Sequence, residues 1–212
     1  MEILFLAANG YGTGASKLLR GLYERAVTLT YIAKYPEKAE RFVRYAAIQE
    51  YKAMNLALQV STEEEFDEVV GKRSTAAQVR EAYKALKDDF QVTDCKKCNT
   101  KQQAFSWDID MTSMVRNIGE PLSKYFLGSY TLPTWHIHAT LASGLNDESI
   151  EIRQVQEADA GEFALVNATL IMLFVFLQQN DMFKLNLEDE IKRCDALMGD
   201  IEWKLRSARA GH

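Results

Sequence analysis

Apolar residues recur at helical spacing along most of this chain. After the glycine-rich residues 10–14 they follow one another in steps of three and four positions as far as Pro36. Such spacing places side chains on one face of a helix, and proline fits a first helical turn but breaks a helix interior. The pattern therefore predicts a first helix that ends near Pro36. Its main apolar stripe is predicted to comprise Leu19, Leu22, Ala26 and Leu29.

The same spacing predicts several further helices and one marked helix start. The run Ser61-Thr62-Glu63-Glu64-Glu65 is typical of a capped N-terminus. There the hydroxyl and carboxylate groups accept from free backbone N–H groups and face the positive end of the helix dipole. Helices are also predicted over residues 37–60, 75–90, 111–144, 161–180 and 187–209.

Two segments lack helical spacing. Residues 91–106 are polar and are predicted to form an exposed connection. Residues 145–160 are acidic and are predicted to be a loop, with a short extended piece at residues 149–155. Strand-like alternation is otherwise missing, so the sequence predicts an all-α fold. We expect a single helical bundle of about six to eight helices, forming one domain over residues 1–212.

Composition and charge narrow the class of protein. The chain has 212 residues, of which 47% are hydrophobic and 26% are charged, and this composition is typical of a folded globular protein. A net charge of −5 argues against a protein that coats nucleic acid through bulk positive charge. A local basic cleft is compatible with this net charge.

The cysteines and the most apolar segment predict a cytoplasmic location. Three cysteines are too few for a disulfide scaffold, and an odd number cannot all pair with one another. Both observations favour a reducing compartment. The apolar start of the chain is short and lacks the basic region of a signal peptide. Residues 163–177 are the most apolar stretch, but they fall short of the roughly 20 residues of a membrane span. We expect them to form a central core helix, with no membrane contact.

The first helix carries the first candidate functional group. Arg20 and Glu24 lie one turn apart, within reach of each other, on the side roughly opposite the main apolar stripe. Their neighbours there include Tyr23, Val27 and Tyr31, so this side is not simply a solvated face. The pair indicates either a buried polar site between helices or a surface ion pair contributing a few tenths of a kcal/mol.

The second candidate group lies in residues 129–144. This segment contains Tyr130, His136 and His138, and imidazole titrates near neutral pH and can act as a general acid or base. Two residues apart on a helix point about 200° away from each other. We therefore expect one histidine to face a cleft and the other to be structural or exposed, and a metal site built on both is disfavoured.

Other motifs carry weaker predictions. Cys95 and Cys98 form a CxxC, which is half of a zinc site, but no matching ligand pair is present, so neither a metal nor a cofactor is predicted. The glycines of residues 10–14 precede a helix and indicate a flexible joint or an anion site at the helix N-terminus. The acidic run of residues 63–68 is predicted to be a solvated face, or a surface for a basic partner.

These patches together resemble a known family. The segment LLRGLYERAVTLTYI precedes Trp107, Tyr125 and the segment YTLPTWHIH at residues 130–138. This order is similar to a widespread bacterial all-helical family of unknown function, which in turn resembles the HEPN superfamily of helical bundles. Many HEPN proteins are metal-independent RNases of toxin–antitoxin and phage-defence systems. The resemblance covers roughly residues 15–145.

The resemblance implies roles for the matching residues. Arg20 would bind phosphate charge, His136 or His138 would be the general acid/base, and Glu24 and Tyr130 would orient them. The chain departs from the HEPN pattern, because catalytic members carry an Arg four to six residues before the His. Residues 129–135 read SYTLPTW and contain no Arg.

Three functions stay open on these observations. The first is a metal-independent RNase or nucleotide-acting toxin, for which RNA or a nucleotide is the expected partner. The second is a non-catalytic partner-binding or sensor module, and the third is a small-molecule-binding bundle. Because HEPN-like bundles usually work as dimers, the resemblance also implies a homodimer.

Overall fold

The computed structural model describes residues 1–71, 73–95, 100–137, 150–197 and 199. Within these ranges the side chains of residues 93–95, 100–101, 135–137 and 150–156 lie outside the description. Apart from two short strands, the regular elements of the described chain are helices, which confirms the all-α prediction. The helices are α1 (Glu2–Ala8), α2 (Gly12–Lys34), α3 (Ala39–Ala57), α4 (Glu63–Val70), α5 (Ala76–Leu86), α6 (Met111–Ile118), α7 (Leu122–Phe126), α8 (Leu132–Ile137) and α9 (Ile150–Phe183).

The predicted helix boundaries agree with the structure at several points. Helix α2 ends at Lys34, and Pro36 opens a 3-10 turn, Pro36–Lys38, before α3. The capped start at Thr62 is also confirmed. The Glu65 N–H donates to Oγ1 of Thr62 at 3.2 Å, and the Thr62 N–H donates to Oε2 of Glu65 at 2.9 Å. Residues 188–197 are helical, within the last predicted helix.

The chain divides into two compact units. The first comprises Met1–Tyr31 and Met114–His212, and the second comprises Ile32–Ser113. Each is described separately below. The expectation that residues 1–212 fold as one domain stays a prediction.

Helices α2, α6, α7 and α9 supply the core of the first unit. The buried side chains of α2 include Leu19, Tyr23, Val27 and Tyr31, whereas the predicted stripe residues Leu22 and Leu29 are only half-buried. The buried face is therefore centred on the aromatic side of α2, because a tyrosine ring carries a large apolar area into the core. From the other helices the core receives Met114, Val115, Leu122, Ala164, Ala168 and Ile171.

The N-terminus of α2 packs tightly against α9. The carboxylate of Glu157 accepts hydrogen bonds from the backbone N–H of Thr13 at 2.7 Å and from its hydroxyl at 2.5 Å. A Cβ on Gly12 would lie 1.9 Å from the carbonyl oxygen of Glu157. The glycine-rich start thus holds an anion, as one of the two expectations proposed, but the anion is a side chain of the protein itself.

Helix α9 shows that the predicted loop over residues 145–160 is wrong from residue 150 onward, and residues 145–149 lie outside the described residues. The helix begins at Ile150, so the expected extended piece at residues 149–155 is wrong where it is described. In the described part of the chain, Glu157–Phe183 is the one helical stretch long and apolar enough to cross a membrane by length and composition. Core helices of soluble proteins share this property, and Ala164, Ala168 and Ile171 are buried within the unit.

The second unit contains the two strands. Strand β1 (Gln91–Cys95) pairs antiparallel with β2 (Thr100–Gln103), with Gln91 opposite Gln103 and a register shift between Thr93 and Cys95. The predicted connection at residues 91–106 is therefore partly a β-hairpin. Sequence periodicity missed it because both strands are mostly polar, and the pairing relies on backbone hydrogen bonds.

Helices α3 and α5 pack together beside this hairpin. The Tyr45 hydroxyl donates to the carbonyl of Ala104 at 3.0 Å and so ties α3 to the segment after β2. Phe90 packs on Tyr45 with ring centroids 5.1 Å apart. Trp107 is buried and packs edge-on against Phe42 at 5.2 Å. The tryptophan that contributes to the family resemblance is thus part of the core of this unit.

Candidate functional site

Arg20 and Glu24 form a partly buried ion pair on α2. Nε of Arg20 lies 2.9 Å from Oε1 of Glu24, and the two side chains are 20% and 37% exposed. The pair borders the face that carries Tyr23, Val27 and Tyr31 into the core. Of the two interpretations of the sequence, the structure therefore supports a partly buried polar site over a fully exposed surface pair.

Tyr130 contacts this pair from a distant part of the chain. It lies in a single π-helical turn, Leu127–Thr131, between α7 and α8. The guanidinium carbon of Arg20 is 4.9 Å from the centroid of the Tyr130 ring, within the range of a cation–π contact. The structure thus brings together residues from the two groups that the sequence singled out.

An aromatic cluster supports the Tyr130 ring. Phe126 stacks on Tyr130 with centroids 5.1 Å apart, and Tyr23 lies 6.4 Å from Tyr130 and 6.3 Å from Phe126. The sequence contained a signal for this cluster, because Phe126 and Tyr130 are four residues apart on a helical segment. We name Tyr23, Phe126 and Tyr130 the aromatic cluster.

Tyr23 fixes the cluster in the core. Its side chain is fully buried, and its hydroxyl donates to the carbonyl of Leu122 at 2.8 Å. Burial raises the pKa of Tyr23 well above its ordinary value, because the ionised phenolate would lose its hydration. Tyr23 therefore stays neutral at neutral pH.

Ser129 lies in the same π-helical turn as Tyr130. It is fully buried, and its Oγ has no hydrogen-bond partner within the part of the chain that the structure describes. Phe163 of α9 packs so closely on Gly128 that a Cβ there would lie 2.3 Å from the ring. Single π-helical turns inside α-helices are frequent at functional sites.

The two histidines are only partly described. The backbone of His136 belongs to α8, which directly follows the π-helical turn of Tyr130. The side chain of His136 and all of His138 lie outside the described residues. Of the five predicted site residues, the structure therefore brings together Arg20, Glu24 and Tyr130.

The arrangement can bind an anion. A guanidinium has five N–H donors, and the ion pair with Glu24 uses the one on Nε. Within the described chain the donors on both terminal nitrogens are thus available for a phosphate or carboxylate. The Tyr130 ring lies against the guanidinium, and a guanidinium with fewer accessible orientations loses less entropy when it forms two hydrogen bonds to one anion.

The described residues contain no group of three or more His, Cys, Asp or Glu side chains placed to hold a metal ion. The predicted half-site at Cys95 and Cys98 is not covered by that statement. Cys98 and the side chain of Cys95 lie outside the described residues.

Comparison with known proteins identifies a family. The model of the family of unknown function DUF5677 matches residues 1–151, which include α2, the aromatic cluster and α8. No curated protein and no solved structure matches the chain. Since the family match spans well over half of the sequence, the protein belongs to the DUF5677 family.

Proposed function

We propose that this protein is a HEPN-like RNase that cleaves RNA without a metal ion. Arg20 binds the phosphate, and His136 or His138 is the general acid/base. The observation that carries the proposal is the contact of Arg20 with Tyr130. That contact joins the helix bearing the candidate phosphate-binding charge to the segment that bears the two histidines.

Arg20 would take the place of an arginine that the HEPN pattern has and this sequence lacks. Catalytic HEPN proteins carry the arginine a few residues before the histidine, and this chain has none there. Arg20 would replace it from α2, since its guanidinium lies on Tyr130, six positions before His136 in the sequence. The proposal therefore includes that Arg20 lies close to the side chain of His136 or His138.

The reaction would be an internal transesterification. The RNA 2′-hydroxyl attacks the adjacent phosphorus and gives its proton to a histidine, while the bond from phosphorus to the 5′-oxygen breaks. The leaving 5′-oxygen takes a proton from water, and the products are a 2′,3′-cyclic phosphate and a 5′-hydroxyl end. Arg20 would stabilise the negative charge that grows on the non-bridging oxygens.

Glu24 and Tyr130 would act as positioning residues. Glu24 accepts a hydrogen bond from Nε of Arg20, and the Tyr130 ring contacts the guanidinium. A guanidinium that is already oriented loses less entropy when it binds phosphate than a free side chain does. The implied setting, a bacterial defence or toxin–antitoxin system, and the homodimer rest on the family resemblance alone.

Cleavage of a labelled RNA in the presence of EDTA tests the proposal. Purified wild type should release products with cyclic phosphate and 5′-hydroxyl ends. The variant of the active histidine, either His136→Ala or His138→Ala, should lose activity by about 10²- to 10⁴-fold, and the other should retain it. Each histidine variant is thus the control for the other. If wild type releases no product, or both variants cleave at the wild-type rate, the proposal is wrong.

A non-catalytic module is the second candidate, and one observation favours it. Glu24 already neutralises much of the charge of Arg20, as in a structural ion pair. This alternative predicts that Arg20→Ala changes the free energy of unfolding and leaves no activity to lose. Urea unfolding of the variant, beside the RNA assay, separates the two functions.

A further inference from the structure

A groove of about 700 Å³ crosses the surface of the second unit. It is lined by residues of α3, α4 and α5, and its floor includes Met54, Phe66 and Val79. Met54 and Val79 belong to a buried hydrophobic cluster on which Phe66 packs. The floor of the groove is therefore part of the hydrophobic core and not a loop surface.

The walls of the groove are largely apolar. Ala53 and Ala57 of α3 lie on one side, and Val69 and Val70 of α4 lie on the other. The Val69 side chain is 82% exposed. Single exposed apolar side chains are common on soluble proteins, but a contiguous apolar patch is not. Exposed apolar side chains that continue into an apolar groove therefore indicate a binding surface.

The rim of the groove is acidic. Glu50, Glu65 and Glu68 line it. Among the lining residues that the structure describes, the one basic side chain is Arg73, which is paired with Glu50 at 3.1 Å. The pair leaves Glu65 and Glu68 as net negative charge beside the apolar wall. A complementary occupant must combine an apolar face with positive charge at its edge.

We propose that this groove binds an amphipathic helix of a partner protein, with apolar residues on its inner face and Lys or Arg along the edges. A groove between packed helices accepts apolar side chains spaced i, i+3, i+4 and i+7 on such a segment. Glu68 pairs with the basic edge, and Val69 contacts the apolar face. This surface shares no residue with the Arg20 site, so either function can fail without the other.

A pair of synthetic peptides tests the proposal. Each is a helical peptide of about 15 residues with Leu at the inner positions, one carrying Lys at the edges and the other Glu. Fluorescence anisotropy with the full chain at low salt should give at least about tenfold tighter binding for the Lys peptide. The difference should shrink at high salt, because exposed charges are screened.

Two variants place the binding on the groove. Val69→Asp and Glu68→Lys should each weaken binding of the Lys peptide by about tenfold. Val43→Asp and Glu81→Lys make the same changes at exposed positions that do not line the groove, and they should bind as wild type does. Thermal unfolding monitored by circular dichroism confirms that all four variants are folded.

Three results would overturn the proposal. The first is equal affinity for the two peptides, or no binding of the Lys peptide. The second is weakening by the control variants as large as that by the groove variants. The third is self-association of wild type that Val69→Asp abolishes, which would assign the groove to a second copy of this chain.

Discussion

Tyr23 links the core of the first unit to the candidate site. Its ring supports Tyr130, on which the guanidinium of Arg20 rests, and its hydroxyl donates to the carbonyl of Leu122. The buried, neutral side chain of Tyr23 therefore helps to set the position of the Arg20 guanidinium. Because the phenol is buried, its ionisation should be coupled to unfolding.

Tyr23→Phe should change how stability depends on pH. An unfolded tyrosine ionises near pH 10, whereas burial raises the pKa of Tyr23 in the folded state. Above pH 10 the unfolded state thus binds fewer protons than the folded state, and stability falls as pH rises, by up to about 1.4 kcal/mol per pH unit from this group. The variant lacks this loss.

Urea unfolding of both proteins at pH 8 and at two values above pH 10 measures the effect. At pH 8 the variant should be less stable by about 1 kcal/mol, because it lacks the hydrogen bond to Leu122. The other tyrosines titrate in both proteins, so their contribution cancels in the difference. Parallel pH profiles would show that Tyr23 ionises as readily in the folded protein as in the unfolded chain.

At the scale of single elements, the sequence predicted those helices whose apolar side chains repeat. Helices α2 and α3 and the apolar part of α9 are of this kind. The acidic residues in the first turns of α9 form no apolar stripe, so the sequence pattern there predicts a loop, although the helix continues through them. The hairpin β1–β2 was missed because polar strands carry no such repeat.

Gly12→Ala should strongly destabilise the first unit. The new Cβ would lie 1.9 Å from the carbonyl oxygen of Glu157, so α2 and α9 would have to move apart. We expect the free energy of unfolding to fall by about 1–3 kcal/mol. In the same helix, Gly21 has open space around its Cβ position, and Gly21→Ala should stabilise the protein by about 0.5–1 kcal/mol. Similar free energies of unfolding for the two variants would refute the close contact.

Thr62→Ala should weaken α4 by about 1 kcal/mol, because the Glu65 N–H loses its acceptor. Thr62→Ser keeps a hydroxyl at the cap and should remain close to wild type. Hydrogen exchange of the α4 amides measures both. Equal protection in the two variants would mean that the capping box contributes nothing to α4.

Across the whole chain, the sequence predicts the local contact in the candidate site but not the long-range one. The Arg20–Glu24 pair follows from a spacing of four residues on one helix. The contact with Tyr130 joins residues more than a hundred positions apart, and no local pattern encodes such a distance. Two residues of the predicted main stripe of α2, Leu19 and Ala26, are buried. The other two, Leu22 and Leu29, are half-buried, because the buried face is shifted toward the tyrosines of the helix.

The proposed RNase function requires Arg20 to bind the phosphate of the cleaved RNA. Arg25 lies on the same helix, is exposed and carries the same charge, so it is a matched control. The most direct measurement is the initial rate of RNA cleavage in EDTA by Arg20→Ala and by Arg25→Ala. We expect a loss of about 10²- to 10³-fold for Arg20→Ala and a rate close to wild type for Arg25→Ala. Equal rates for the two variants would contradict it.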